Sequence, residues 1–130
     1  MDAFITAEAR QAFGALSALS PGRRLFGILV GHKRGHRFIV EKAFPAAGFR
    51  FAPRDFFLID ELFAGRVLGF YASGDLGRLK ARLRQPYAAG RMLLSVRPAK
   101  RGPAFKAFAI DFEGRFRVVP LPLIVEESVS

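Results

Sequence analysis

The chain has no cysteine and no tryptophan, only two histidines and two tyrosines, and about half as many acidic residues as basic ones. Without cysteine there is neither a disulfide nor a thiolate metal site, which suits a reducing cytosol. The two histidines, His32 and His36, are too few on their own for a catalytic zinc, which takes three protein ligands and an open position for water. No long apolar run is present. The longest, Leu25 to Gly31, falls far short of the roughly 20 residues that cross a bilayer. The opening Met1-Asp2-Ala3-Phe4-Ile5-Thr6 lacks the basic region and apolar stretch of a secretory leader, so a cytoplasmic location is expected. Repeats, low-complexity tracts and interdomain linkers are also missing, and 130 residues suffice for one domain, residues 1–130, around a single core.

What remains is a well-punctuated pattern of helices and strands. Thr6 can cap a helix whose apolar positions Ala9, Ala12, Phe13, Leu16 and Leu19 recur near the helical period, with Ser20-Pro21-Gly22 as its stop. Leu25 to Val30 and Arg37 to Ala43 are β-rich runs whose polar connection holds Gly35, free to take positive φ, so they form a hairpin. Pro53 opens a second helix over Arg54 to Ala64, closed by Gly65, with Phe56, Ile59, Leu62 and Phe63 inward. Val67 to Tyr71 reads as a buried central strand, and Leu76 to Arg84 as a short helix with Leu76, Leu79 and Leu83 inward. Met92 to Val96, Ala104 to Phe112 and Arg115 to Val119 are closing strands, the last two turning at Glu113-Gly114. The class is α/β.

Phe26-Gly27-Ile28-Leu29-Val30-Gly31, the His32-Lys33-Arg34-Gly35-His36 turn, Arg37 to Pro45, Gly69-Phe70-Tyr71-Ala72-Ser73-Gly74-Asp75, Met92 to Val96 and Ala107 to Phe116 follow one another in a telling order. In that order and spacing they resemble the JAB1/MPN/Mov34 (JAMM) family in its compact prokaryotic form, over roughly residues 5 to 125. The resemblance implies a cytidine-deaminase-like fold, a curved mixed β-sheet flanked by helices, and descent from a zinc metallopeptidase. The family's glutamate, three residues before the glycine of the first long strand, falls on Arg24. Its His-Ser-His-Pro segment falls on Ala72, Ser73, Gly74 and Asp75, and the serine and aspartate that complete the motif fall on Arg82 and Gln85. Only the serine between the histidines survives. The resemblance therefore implies a vestigial site with no metal, no cofactor and no catalytic residue, a pseudoenzyme. A guanidinium at Arg24 about 4 Å from a divalent ion would repel it by about 8 kcal/mol at an effective dielectric of about 20. Asp75 is expected either to pair with Arg24 across the site or to cap the helix that starts near Leu76.

The net charge of +10 is concentrated in one place. Between Leu76 and Ile110 stand Arg78, Lys80, Arg82, Arg84, Arg91, Arg97, Lys100, Arg101 and Lys106 without one acidic residue, leaving 12 basic against 11 acidic in the rest of the chain. Of these, all but Arg91 are candidates for an acidic-partner surface, whether the partner is a protein, a nucleic acid or an anionic membrane face. The bland alternative is a solvated basic face, common in arginine-rich bacterial proteins. No recognised nucleic-acid motif accompanies the patch, so nucleic-acid binding would be salt-sensitive and blind to sequence.

Other features read more simply. His32 and His36 flank the hairpin and lack a third ligand, so they are turn residues rather than a metal site. Ser73 has no histidine near it in sequence and is better cast as a loop hydroxyl bonded to backbone than as a nucleophile. Tyr71 and Tyr87 pack beside strands. Gly31-His32-Lys33-Arg34-Gly35 is too short for a phosphate loop. Fifteen phenylalanines, as in Phe49-Arg50-Phe51, Phe56-Phe57 and Phe105-Lys106-Ala107-Phe108, exceed what a one-layer core covers, so an aromatic interface is expected. Non-catalytic MPN domains pair with other MPN domains, and the resemblance implies a scaffold whose partner is another such domain or a second copy of the chain. A basic nucleic-acid-associated module on the same fold is the alternative reading, and a zinc (iso)peptidase with atypical ligands a second.

Overall fold

The computed structural model describes residues 1–19, 24–46, 48–74, 76–97 and 102–127. Strand β1 (Asp2–Ile5) leads into helix α1 (Ala7–Leu19), whose start is capped as its sequence demands. The Thr6 hydroxyl accepts the Ala9 N–H at 3.2 Å, and the Glu126 carboxylate accepts the Ala7 N–H at 3.1 Å from the far end of the chain. The expected stop at Ser20-Pro21-Gly22 lies outside the described residues. Strands β2 (Phe26–Arg34) and β3 (Arg37–Pro45) form the hairpin, with Gly35 at φ 61° in the turn. Helix α2 (Pro53–Leu62) precedes the central strand β4 (Val67–Ser73), and helix α3 (Gly77–Arg82) with a short 3-10 turn at Pro86–Ala88 crosses over to β5 (Met92–Arg97). Strands β6 (Ala104–Glu113), β7 (Arg115–Leu121) and β8 (Leu123–Val125) complete the chain.

The strands make one mixed sheet in the order β7-β6-β5-β4-β2-β3-β1-β8, with β1/β3, β1/β8 and β4/β5 parallel. Its two outer strands, β7 and β8, are separated by Pro122 alone, so one run of chain lies along both ends and the sheet curls nearly shut. Prolines suit that run because it pairs intermittently: Pro120 lies opposite Phe108, and the Pro122 carbonyl accepts the Ala3 N–H at 3.0 Å. Strands β1 and β8 are short and were not legible in the sequence, since four and three residues show too little alternation to set them apart from loop.

Both faces of the sheet are covered. On one face α1 lays Ala9 and Phe13 against Leu29, Tyr71, Met92, Leu94 and Val96. On the other, α2 and α3 bring Phe56, Leu79 and Leu83 onto Phe70, Leu93 and Ile110. The alternation along β5 makes the division, with Met92, Leu94 and Val96 turned to α1 and Leu93 turned to the other helices. This arrangement corrects the expectation of a one-layer core: Phe13 and Phe105 join one face, and Phe26, Phe49, Phe51, Phe56 and Phe70 the other, so most of the phenylalanine surface is internal. A single fully buried phenylalanine contributes about 2 to 3 kcal/mol by burial. Exposed rings are few, chiefly Phe57 on the outer side of α2. Leu62, expected inward, is 76% exposed, because α2 ends there and only Phe56, Ile59 and Phe63 reach the sheet.

Two glycines allow the central strands to approach. A Cβ at Gly69 would lie 1.9 Å from the Met92 carbonyl oxygen, and one at Gly27 would lie 2.4 Å from the Tyr71 hydroxyl. Gly27 thus makes the room in which the Tyr71 phenol sits, and burial there pushes that phenol up to about 12. No helix among the described residues is long and apolar enough to cross a membrane.

Candidate binding site

Four of the residues singled out by the resemblance, Arg24, Ala72, Ser73 and Arg82, line one cavity at the end of β4. Phe26 pairs with Ala72 across the β2/β4 ladder, which carries Arg24 and Leu25 up to Ser73. There the Leu25 N–H donates to Ser73 Oγ at 2.6 Å and the Ser73 N–H donates to the Leu25 carbonyl at 3.0 Å. Ser73 is therefore a hydroxyl bonded to backbone, as its sequence context suggested, and no histidine stands with it. Helix α3 begins just beyond and adds Arg78 and Arg82. The loop before α2 closes the far side with Phe49 and Phe51. Together they enclose a cavity of about 610 Å³ whose walls include Arg24, Phe26, Phe49, Phe51, Ser73, Arg78 and Arg82.

Gln85, on the position of the family's aspartate, faces the chain rather than the cavity. Its amide nitrogen donates to the Phe51 carbonyl at 2.8 Å and to the Arg82 carbonyl at 3.2 Å. Phe51 needs that hold, because its φ is 61°, a left-handed conformation uncommon for a residue with a bulky side chain. Ala64 shares this sign of φ, but it ends α2, where a left-handed residue is ordinary. The Arg82 guanidinium lies 5.1 Å from the Phe51 ring centre and shields it.

On the other side of the β4 end, Gly74, at φ 79°, lines a second cavity of about 270 Å³ together with Ser95, Arg97, Phe105 and Lys106. Asp75, Lys100 and Arg101 lie outside the described residues, so the expected Arg24–Asp75 pair and the alternative helix cap both fall there. The other basic candidates rest on rings: Lys80 over Phe108 at 5.2 Å and Arg84 over Phe116 at 5.6 Å. Their stems cover apolar surface while their charged heads stay in water, which gives part of the basic segment a packing role.

The site does not fit zinc. Among the described residues, none that lines the larger cavity is a histidine, aspartate, glutamate or cysteine, and no cluster of three such groups stands anywhere. The two histidines do not face each other, since His32 lies opposite Ile39 and His36 sits in the turn. His32 Nδ1 instead lies 2.6 Å from Glu41, whose carboxylate it holds below the usual range, with Arg66 on the same oxygen at 3.1 Å.

Sequence reading missed a second polar cluster, because its members are far apart in the chain. The Asp60 carboxylate accepts from the Tyr87 hydroxyl at 2.7 Å and from Arg91 at 2.8 Å, while Arg91 also donates to the Val67 carbonyl at 2.6 Å. Burial and the Asp60 contact push the Tyr87 phenol well above its usual range. The remaining Asp60 oxygen is shielded and has no hydrogen-bond partner among the described residues. Linking α2 to β4 and β5 from within a packed surface, this cluster is structural.

No family model matches the chain. No curated protein matches it either. Among solved structures, the solution structure of protein DSY2949 from Desulfitobacterium hafniense superposes with a TM-score of 0.69 at 16% identity, over 98% of this chain and 95% of that one. At that identity the likeness concerns the fold alone, a mixed α/β architecture shared along nearly the whole length.

Proposed function

We propose that this chain is a non-catalytic member of the JAMM/MPN type, a cytidine-deaminase-like α/β domain that works by binding a protein partner through its basic surface. The observation that carries the reading is the composition of the cavity at the end of β4. Positions that the family fills with glutamate, histidine and aspartate are here Arg24, Ala72, Gly74 and Gln85. Of these only Arg24 carries a charge, and Arg78 and Arg82 join it in lining the larger cavity, so the cavity favours an anion over a cation. Without three ligands there is nothing to hold and activate a hydrolytic water.

The proposal is tested by two assays on one preparation. Incubated with zinc and an isopeptide-linked substrate, the protein leaves the substrate intact. In capture from native cells it retains one defined protein, and retention falls steeply in the Arg78→Glu/Arg82→Glu variant while the fold persists. Zinc-dependent cleavage, or capture indifferent to charge reversal, would overturn the reading.

A further inference from the structure

We propose that the two cavities flanking the end of β4 form a track for an acidic peptide segment whose carboxylates are interspersed with apolar side chains. The inference rests on the partner-binding reading above and names where on the surface, and to what chemistry, that binding is directed. Arg24, Arg78 and Arg82 in the larger cavity have no carboxylate partner among the described residues, whereas Arg37, Arg66, Arg91 and Arg117 each have one. Cations without a partner, gathered in one concavity, form a site for an external anion. Arg82 also lies 5.1 Å from the Phe51 ring centre, so its charge stands beside the apolar wall. Ser73 adds a donor. Its oxygen already accepts the Leu25 N–H, and its own proton has no acceptor among the described residues.

The rest of the wall is apolar and held in place. Phe51 keeps a left-handed backbone under the Gln85 amide, and such outliers persist where surrounding structure fixes them, commonly at ligand sites. Ser73 lines the larger volume, about 610 Å³, and the next residue, Gly74, lines the smaller, about 270 Å³, which adds Arg97 and Lys106. Positive groups spread along both cavities suit an extended chain with several carboxylates better than one small acid. The apolar part of the lining favours a peptide over a nucleic acid. Leu25, Phe26, Phe49, Phe51 and Leu79 line the larger cavity beside the arginines, so a partner that carries apolar side chains between its carboxylates buries them there, as a sugar-phosphate chain cannot.

The test is fluorescence anisotropy with three labelled probes: a short peptide alternating Glu with Leu and Phe, its counterpart with Gln for every Glu, and oligo-dT. The acidic peptide binds and the Gln counterpart does not, and the Arg24→Gln/Arg78→Gln variant, altering two exposed side chains, loses roughly tenfold or more in affinity. Arg115→Gln, on β7, serves as the charge control and leaves affinity within about twofold. Equal loss in the control, tighter binding of oligo-dT, or no binding of the acidic peptide would overturn the inference. Capture of a native partner that survives Arg24→Gln/Arg78→Gln would overturn the track alone, whereas zinc-dependent cleavage of the probe would overturn the partner-binding reading itself.

Discussion

The Gln85 side-chain amide donates to the Phe51 carbonyl at 2.8 Å and holds in place a phenylalanine whose φ is 61°. One contact therefore ties the crossover after α3 to the loop before α2, and with it the apolar wall of the β4 cavity. Gln85→Ala is expected to leave that carbonyl short of a partner and to cost about 1 to 2 kcal/mol, read as a lower urea midpoint with an unchanged slope. Gln85→Glu would keep the size but lose the donor, and is expected to be no better than alanine.

The Asp60–Tyr87–Arg91 cluster predicts a graded series. Arg91→Ala leaves a mostly shielded carboxylate without its counter-charge and is expected to destabilise by about 3 kcal/mol. Tyr87→Phe removes one donor and is expected to cost about 1 kcal/mol. Replacing Asp60 and Arg91 together should cost less than the sum of the single changes, which a double-mutant cycle would measure.

Alkaline titration gives a third prediction. An unfolded tyrosine titrates near 10, while burial pushes Tyr71 up to about 12. A folded value above the unfolded one means that this contribution is complete below pH 10 and is lost as pH rises toward 12, at about 1.4 kcal/mol per pH unit. Tyr87, also raised, deepens the same limb. Denaturation midpoints between pH 9 and 12 should fall along this slope in the natural chain. In Tyr71→Phe the slope should be shallower.

Much of this fold was legible because its strong elements announce themselves locally. Thr6 before the Ala9/Phe13/Leu16 stripe, Gly35 between two β-rich runs and Pro53 ahead of α2 each set a boundary that the structure keeps. What the sequence hid was pairing between distant segments. Strands β1 and β8 gain their meaning only from each other and from β3. Leu62 was misplaced because it stands three residues after Ile59 and was grouped with its stripe, whereas the inward face of α2 passes from Phe56 and Ile59 to Phe63. In the site, Arg24, Ala72, Ser73 and Arg82 were named from the resemblance, and they meet. Phe49 and Phe51 as cavity walls, and Gln85 as their clasp, required coordinates, since no local pattern marks a left-handed phenylalanine.

Close approach of β4 and β5 predicts the behaviour of one small substitution. Gly69→Ala drives a methyl group into the Met92 backbone, where the neighbour is the strand itself and cannot swing aside. The expected destabilisation is about 3 kcal/mol, seen as a marked fall in melting temperature. Gly14→Ala, on the open side of α1, meets nothing within 4 Å and should stabilise by about 0.5 to 1 kcal/mol.

The proposed preference of the β4 cavity for an anion over a metal ion is tested most directly by zinc stoichiometry. The purified chain, equilibrated with zinc and then dialysed, is expected to retain far less than one zinc per molecule by elemental analysis. Retention of a single zinc per molecule that disappears on Asp75→Ala would contradict the account.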